Sequence, residues 1–221
     1  QRVEDHLKWD ARLDASDIRV NVDHGRVTLS GTVPTMRSQQ VAERDVTVVP
    51  DVVSVENRIT VEHAATTVQV EDELVRNAIR DLMRSSPDLN ARNIKVRVDR
   101  GKVYLEGSVD SYWKRKYAED IASEAPGVVS IENRIEVTPW GDFTDQDILD
   151  DVIASINRNT SATSGDVKVS VQDRVVTLTG IVADWDSYNA VMQAAENTKG
   201  VRDVIDHLSV EVPPRREGEI K

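Results

Sequence analysis

The stretch from Ser111 to Tyr117 reads SYWKRKY and sets two kinds of aromatic ring around three consecutive cations. Trp113, Lys114, Arg115, Lys116 and Tyr117 are therefore the first candidates for chemistry. Indole and phenol rings are part apolar and part wet, which suits the headgroup layer of a membrane, where the cations meet phosphate. Each basic residue near an anionic surface is worth about 1 kcal/mol. Three give roughly 3 kcal/mol, so insertion of Trp113 or an anchor elsewhere is needed as well. The competing reading is a solvated helix start, with Lys116 paired to Asp120 at i, i+4 and Trp113 packed on Tyr117.

Reactive constellations are otherwise sparse. The histidines are His6, His24, His63 and His207, and no two stand at the i, i+4 spacing of a helical metal pair. There is no cysteine, hence neither disulfide nor thiol chemistry. Glycine-rich phosphate loops and nucleophile elbows are missing from the string. Acidic pairs such as Glu119–Asp120 and Asp150–Asp151 read as solvated helix faces rather than an acid–base couple. The short string Asp184–Asp186 is not followed by a calcium loop. No catalytic residue, cofactor or metal site is expected.

Charge narrows the partners. The 221 residues carry a formal net charge of −11, which argues against nucleic acid, since phosphate neutralisation needs a basic surface. No apolar run approaches the length that crosses a bilayer as a helix. The charge is shared unevenly: residues 1–64 carry 8 Lys and Arg against 11 Asp and Glu, residues 65–140 carry 12 against 13, and residues 141–221 carry 8 against 15.

Those three stretches are copies of one another. VVSVENRITV at Val52–Val61 returns as VVSIENRIEV at Val128–Val137, differing at Val55/Ile131 and Thr60/Glu136. Upstream, IRVNVDHGRVTLSGTV from Ile18 matches IKVRVDRGKVYLEGSV from Ile94 and VKVSVQDRVVTLTGIV from Val167. Self-similarity at a fixed period marks a repeat architecture. The expected units are residues 1–64, 68–138 and 143–212, followed by a flexible charged tail at 213–221. Gln1 aligns with Asn77, so about half of the first helix is expected to be missing from the first unit. A signal peptide or anchor before it would not be visible. The short joins Glu62–Gln69 and Thr138–Asp145 imply units that touch, as a bent rod or a compact cluster.

Each unit has the same grammar. In the second, Val70, Leu74, Ala78 and Leu82, with Val75 and Ile79, form an apolar stripe at helical spacing. Asp145–Ile156 repeats this pattern in the third. Two strands with period-two alternation follow, Ile94, Val96 and Val98 on one face and Lys95, Arg97 and Asp99 on the other. They are joined by a tight turn containing Gly101. A second helix from about Ser111 to Ala125 buries Ala118, Ile121, Ala122 and Ala125 and stops at Pro126–Gly127. A third strand closes the unit. The chain is thus α+β: three tandem α-β-β-α-β repeats, each a small three-stranded mixed sheet covered on one face by two helices, with a right-handed crossover.

Several residues take structural readings. Gly31, Gly107 and Gly180 permit a bend or the close approach of the following helix. Asn57, Asn133 and Asp206, at the parity of core residues, satisfy loop backbone. Tyr112, with Met36 and Trp185 at its place in the other copies, is a core lid. Trp140 and Phe143 read first as a staple of the linker to the neighbouring repeat, with an apolar spot at a membrane interface as the alternative.

Together, I-x-V-x-V, the turn, V-x-L-x-G-x-V, a helix containing Ala-Glu, Pro-Gly-Val and the closing V-x-N-x-I-x-V resemble the BON domain, the bacterial OsmY and nodulation module. The third copy departs from the pattern at Arg174, where the turn glycine would be, and at Asp206, in place of asparagine. The resemblance implies no enzyme, a periplasmic or envelope-associated place, a link to osmotic or envelope stress, and peripheral contact with a phospholipid membrane surface. An envelope protein as partner, with the chain acting as scaffold, is the alternative.

Overall fold

A computed structural model describes residues 2–10, 13–61, 72–158 and 166–211. The join at 62–69, which includes His63, the adjoining Val70 and the tail at 213–221 lie outside the described residues. The first unit contains α1 (Arg2–Trp9), β1 (Ile18–Asp23), β2 (Arg26–Val33), α2 (Met36–Thr47) and β3 (Ser54–Val61). The second contains α3 (Asp72–Ser85), a 3-10 turn (Ala91–Asn93), β4 (Ile94–Asp99), β5 (Lys102–Val109), α4 (Tyr112–Ser123) and β6 (Ser130–Val137). The third contains α5 (Asp145–Arg158), β7 (Asp166–Gln172), β8 (Val175–Val182), α6 (Trp185–Glu196) and β9 (Asp203–Val210).

Each sheet places its second strand in the middle, antiparallel to the first and parallel to the third. This is the mixed sheet expected from one hairpin and one helical crossover. In the second unit Leu105 sits between Val96 and Asn133, and Val103 between Val98 and Ile131. Central-strand residues Val103 and Leu105 are fully buried beneath Ile79, Met83, Ala118 and Ala122. Leu74 does not join the predicted stripe: it is 55% exposed, and the buried line on α3 is Val75, Ile79 and Met83. Those three lie four residues apart on one face, and Leu74 is a step round the helix from them.

The open face of the second sheet carries polar residues around Tyr104. Arg97 stacks 3.8 Å from its ring centroid, with Lys102 and Arg134 at 5.0 and 5.5 Å. Acids neutralise two of these cations, Lys102 with Glu132 at 2.9 Å and Arg134 with Glu106 at 3.8 Å.

The hairpins turn through two residues in the left-handed region: His24–Gly25, Arg100–Gly101 and Asp173–Arg174. Positive φ at both positions is the type I′ turn that matches strand twist. Carboxylates of the first helix hold the later two turns. Asp72 accepts the amides of Arg100 and Gly101 at 2.8 and 3.0 Å, and Asp145 those of Asp173 and Arg174 at 2.9 and 2.8 Å. The backbone donors hold the Asp72 carboxyl below its ordinary value.

Gly107 differs from expectation in what approaches it. Its neighbour is the residue leading into the partner strand, not the following helix: a β-carbon at Gly107 would lie 1.9 Å from the Asn93 carbonyl oxygen. Gly31 and Gly180 meet the carbonyls of Asp17 and Asp166 in the same way.

The three units form a closed cluster rather than a rod. The second and third share one continuous core, while the first keeps its own. Met36 of the first unit packs on the shared core, and α2 meets α4. The first and third units face each other across a cleft of about 370 Å³, lined by Thr47–Val52 on one side and Ala183–Asp186 on the other.

Candidate functional site

The start of α4 lies at the junction of the second and third units. In the other units this helix start is capped, by Thr35 accepting the Ser38 amide at 3.0 Å and by Asp184 accepting the Ser187 amide at 2.7 Å. Ser111 makes no such cap. Its hydroxyl donates to Asp110 at 3.0 Å, and Asp110 in turn holds Lys114 at 2.8 Å. The Lys114 ammonium, ahead of other causes, keeps the Asp110 carboxyl below its usual range.

The five residues Trp113, Lys114, Arg115, Lys116 and Tyr117 do not share a face, because successive positions on a helix turn by about 100°. Trp113 and Tyr117 meet at 6.1 Å between ring centroids, and the Lys114 ammonium lies 5.6 Å from the Trp113 ring. Arg115 reaches into the third unit and pairs with Asp203 at 3.3 Å. Lys116 lies near Asp120 and Glu196, and its charge lowers the pKa of both. Desolvation outweighs it, so both carboxyls end above their ordinary values. Arg37 and Arg44 of α2 also act on Asp120. Asp120 is exposed, as a solvated helix face predicts, and partial desolvation of its carboxyl raises its pKa.

Tyr112 is buried and belongs to the core shared with the third unit. Burial, followed by the charges of Glu196 and Asp203, pushes its hydroxyl up to about 12. The lid therefore closes onto the next unit as well as its own.

Trp113 and Lys114 face a cleft of about 340 Å³ whose other walls are Asp110, Ser111, Pro139, Trp140, Phe143, Lys199 and Gly200. Here the expected staple divides into two roles. Phe143 packs on Gly200, where an added β-carbon would come within 2.7 Å of the ring. Trp140 is 85% exposed and staples nothing. The cleft thus gathers two indoles, one phenyl ring and two lysines, one of them paired with Asp110, from two units of an acidic chain. Lys199 and Trp140 are separated from Trp113 in sequence, and only the shared core brings them together.

Behind the site, Asn133 ties β6 to α4. Its amide donates to the Arg115 carbonyl at 2.9 Å and to Glu119 at 3.2 Å, and its oxygen accepts from the Ile135 amide at 3.2 Å. Asn57 repeats this pattern with Gln39, Glu43 and Ile59. These side chains satisfy helix and strand, not the loop expected from sequence. The third unit solves the same problem with a compensating pair: Asp206 accepts from the Leu208 amide at 2.8 Å and from the Tyr188 hydroxyl at 2.5 Å, with Tyr188 in the place of Arg115. Removing that donor in Tyr188→Phe should cost about 1 kcal/mol and lower the melting temperature, and adding Asp206→Asn should recover part of the loss. A single variant with parental stability would show that the bond contributes nothing.

Among the described residues no group of three His, Cys, Asp or Glu side chains is arranged to hold a metal ion. No described helix is long and apolar enough to cross a membrane.

The family model for the BON domain matches residues 1–63, 71–139 and 144–212. Over 153 residues the chain is 28% identical to a protein of Anaplasma centrale described as an uncharacterized protein in the gshII 5′ region, covering 67% of this chain and 94% of that one. Over 136 residues it is 29% identical to the osmotically-inducible protein Y of Escherichia coli K12, covering 56% of this chain and 63%, under two thirds, of that relative. A solved structure of CdsD, a structural protein of the Type III secretion system of Chlamydia trachomatis, aligns over 95% of this chain and 90% of that one at 16% identity, with a TM-score of 0.27 that carries no argument. With three tandem matches spanning nearly its whole length, the chain belongs to the BON domain family.

Proposed function

We propose that the chain is a non-enzymatic, periplasmic or envelope-associated protein of osmotic or envelope stress. In this reading it docks peripherally on phospholipid through the cleft between its second and third units. The observation that carries the reading is Trp140, an indole left 85% exposed beside Trp113, Lys114 and Lys199. An exposed indole flanked by ammonium groups matches the headgroup layer, where the ring inserts and the cations meet phosphate. The osmotic association comes from the printed name of the Escherichia coli relative.

Ion pairing favours a second reading. Lys114 is held by Asp110 and Arg115 by Asp203, which leaves less positive charge for a membrane. A scaffold that contacts an envelope protein would need none.

Flotation with phosphatidylcholine vesicles, with and without phosphatidylglycerol, separates the two. Losing an inserted indole forfeits about 1.5–3 kcal/mol of apolar burial, so Trp140→Ala should weaken binding roughly tenfold or more. Its melting temperature should hold, since the side chain is exposed. Parent protein that floats with neither vesicle leaves the scaffold reading, and Trp140→Ala that floats like a floating parent removes the cleft as the docking site.

A further inference from the structure

We propose that the groove between α3 and β4 of the second unit is a binding site for an organic phosphate, built by recharging a groove that the first unit also possesses. The site is separate from the aromatic cleft and does not depend on it.

The groove is a cavity of about 840 Å³. Arg76, Arg80 and Arg84 line one wall along α3, and Arg92 and Lys95 line the other. Its floor is apolar, with Met83, Leu89 and Ile94. Among the described residues no acidic side chain lines it, in a chain whose net charge is −11. The three α3 arginines recur every fourth residue, so they stand in one row, and like charges at that spacing destabilise a helix. Arg84 lies near the helix C-terminus, where a cation is favoured, but Arg76 lies near the start and has no such support.

The cations are only partly satisfied. Glu73 holds Arg76 at 2.9 Å, and Asp81 approaches Arg84 at 3.6 Å, both from outside the groove. The Arg76 Nε is buried without a hydrogen-bond partner. Arg80, Arg92 and Lys95 make no ion pair among the described residues.

The first unit shows that the fold does not require this charge. Its corresponding groove, about 610 Å³, keeps the apolar floor as Leu7, Leu13 and Ile18. Glu4 takes the place of Arg80, Asp14 that of Asn90 and Ser16 that of Arg92, while Lys8 stands in sequence at the place of Arg84 and Arg19 matches Lys95. In the third unit the places of Arg76, Arg80 and Arg84 fall to Leu149, Ile153 and Asn157. The floor is common to both described grooves, but the concentration of arginine belongs to one. Core packing explains the first and leaves the second unexplained.

The chemistry selects the ligand. Guanidinium groups present planar forks of donors that match phosphate oxygens and cannot be deprotonated. The volume lies in the range of small-molecule pockets and exceeds what bare phosphate fills, so the phosphoryl group should carry an organic body that rests on the apolar floor. A soluble metabolite or a lipid headgroup supplies that chemistry equally.

The test uses the whole chain and calorimetric titration at low and high salt. The soluble probes are dihexanoyl phosphatidic acid below its micelle concentration, dihexanoyl phosphatidylcholine and inorganic phosphate; phosphatidylglycerol vesicles supply a bilayer. The expected result is one salt-sensitive site for dihexanoyl phosphatidic acid, weaker binding of phosphate, and at least a tenfold loss in Arg80→Gln/Arg92→Gln with an unchanged melting temperature. Glu4→Arg/Ser16→Arg, which recharges the first groove, should raise the stoichiometry toward two. Binding of the soluble acid without the vesicle identifies a soluble ligand, and vesicle binding that requires Arg80 and Arg92 identifies a headgroup; both support the site. Trp140→Ala should leave the soluble titration unchanged, which keeps this result distinct from failure of the membrane reading. The proposal is overturned if dihexanoyl phosphatidic acid does not bind and vesicle binding does not require Arg80 and Arg92, if phosphatidylcholine binds as well as the acid, or if the double glutamine variant binds like the parent.

Discussion

Gly107→Ala should unfold the second unit under conditions where the parent is fully folded. Two effects act together. Gly107 has a φ of +137°, which L side chains rarely adopt. Its β-carbon would also stand 1.9 Å from the Asn93 carbonyl oxygen and 3.2 Å from the Ile94 Cα. Both neighbours are backbone, and Ile94 is the residue paired with Gly107 in the sheet. No rotamer change relieves the clash; the end of the β4–β5 ladder must open. The expected cost is roughly 3–5 kcal/mol, against a total stability of about 5–15 kcal/mol for an ordinary domain. Ser108→Ala, one residue along the same strand, should change stability by less than about 1 kcal/mol. Urea denaturation of both variants checks the contrast. A Gly107→Ala protein within about 1 kcal/mol of the parent would mean that the strand end shifts without penalty.

The second large effect concerns cooperativity. Ile148→Ala removes a fully buried side chain from the first helix of the third unit. Truncation of a buried Ile costs roughly 2–5 kcal/mol, according to how far the cavity collapses. Because Ile148 belongs to the core that the second and third units share, the loss should not stay in the third. Amide exchange should accelerate in β5 and α4 as well as in β8. Protection around Val27, Leu29 and Val46, which lie in the separate core of the first unit, should change little. Faster exchange confined to the third unit would show that the two units open independently despite the contact.

The candidate sites were legible to different degrees. Trp113 and Lys114 were marked by comparing the copies, since only the second unit has an aromatic followed by cations there. Trp140 was visible as an aromatic in a join, but its exposure was not, because no local pattern says whether a joining segment folds back. Lys199 gave no local signal. The arginine row had one, an i, i+4, i+8 spacing on a helix, but it is dispersed among apolar residues and does not look like a charge run.

What the sequence determined by itself is the unit and its elements. Alternation with period two and apolar spacing near 3.6 are properties of neighbours along the chain, so they fixed strands such as β4 and helices such as α4 without tertiary information. The repeat fixed how many times the unit occurs. The tertiary structure decided what depends on direction and on distant neighbours. Arg115 and Lys116 follow Lys114 in sequence, yet the helix turns them toward the acids of the third unit. Arg76, Arg80 and Arg84 are apart in sequence, yet the same helical turn lines them up. Closure of three units into one cluster then decided which indole stayed in water and which tyrosine was buried, because burial depends on the surfaces that meet and each unit's pattern describes only its own core.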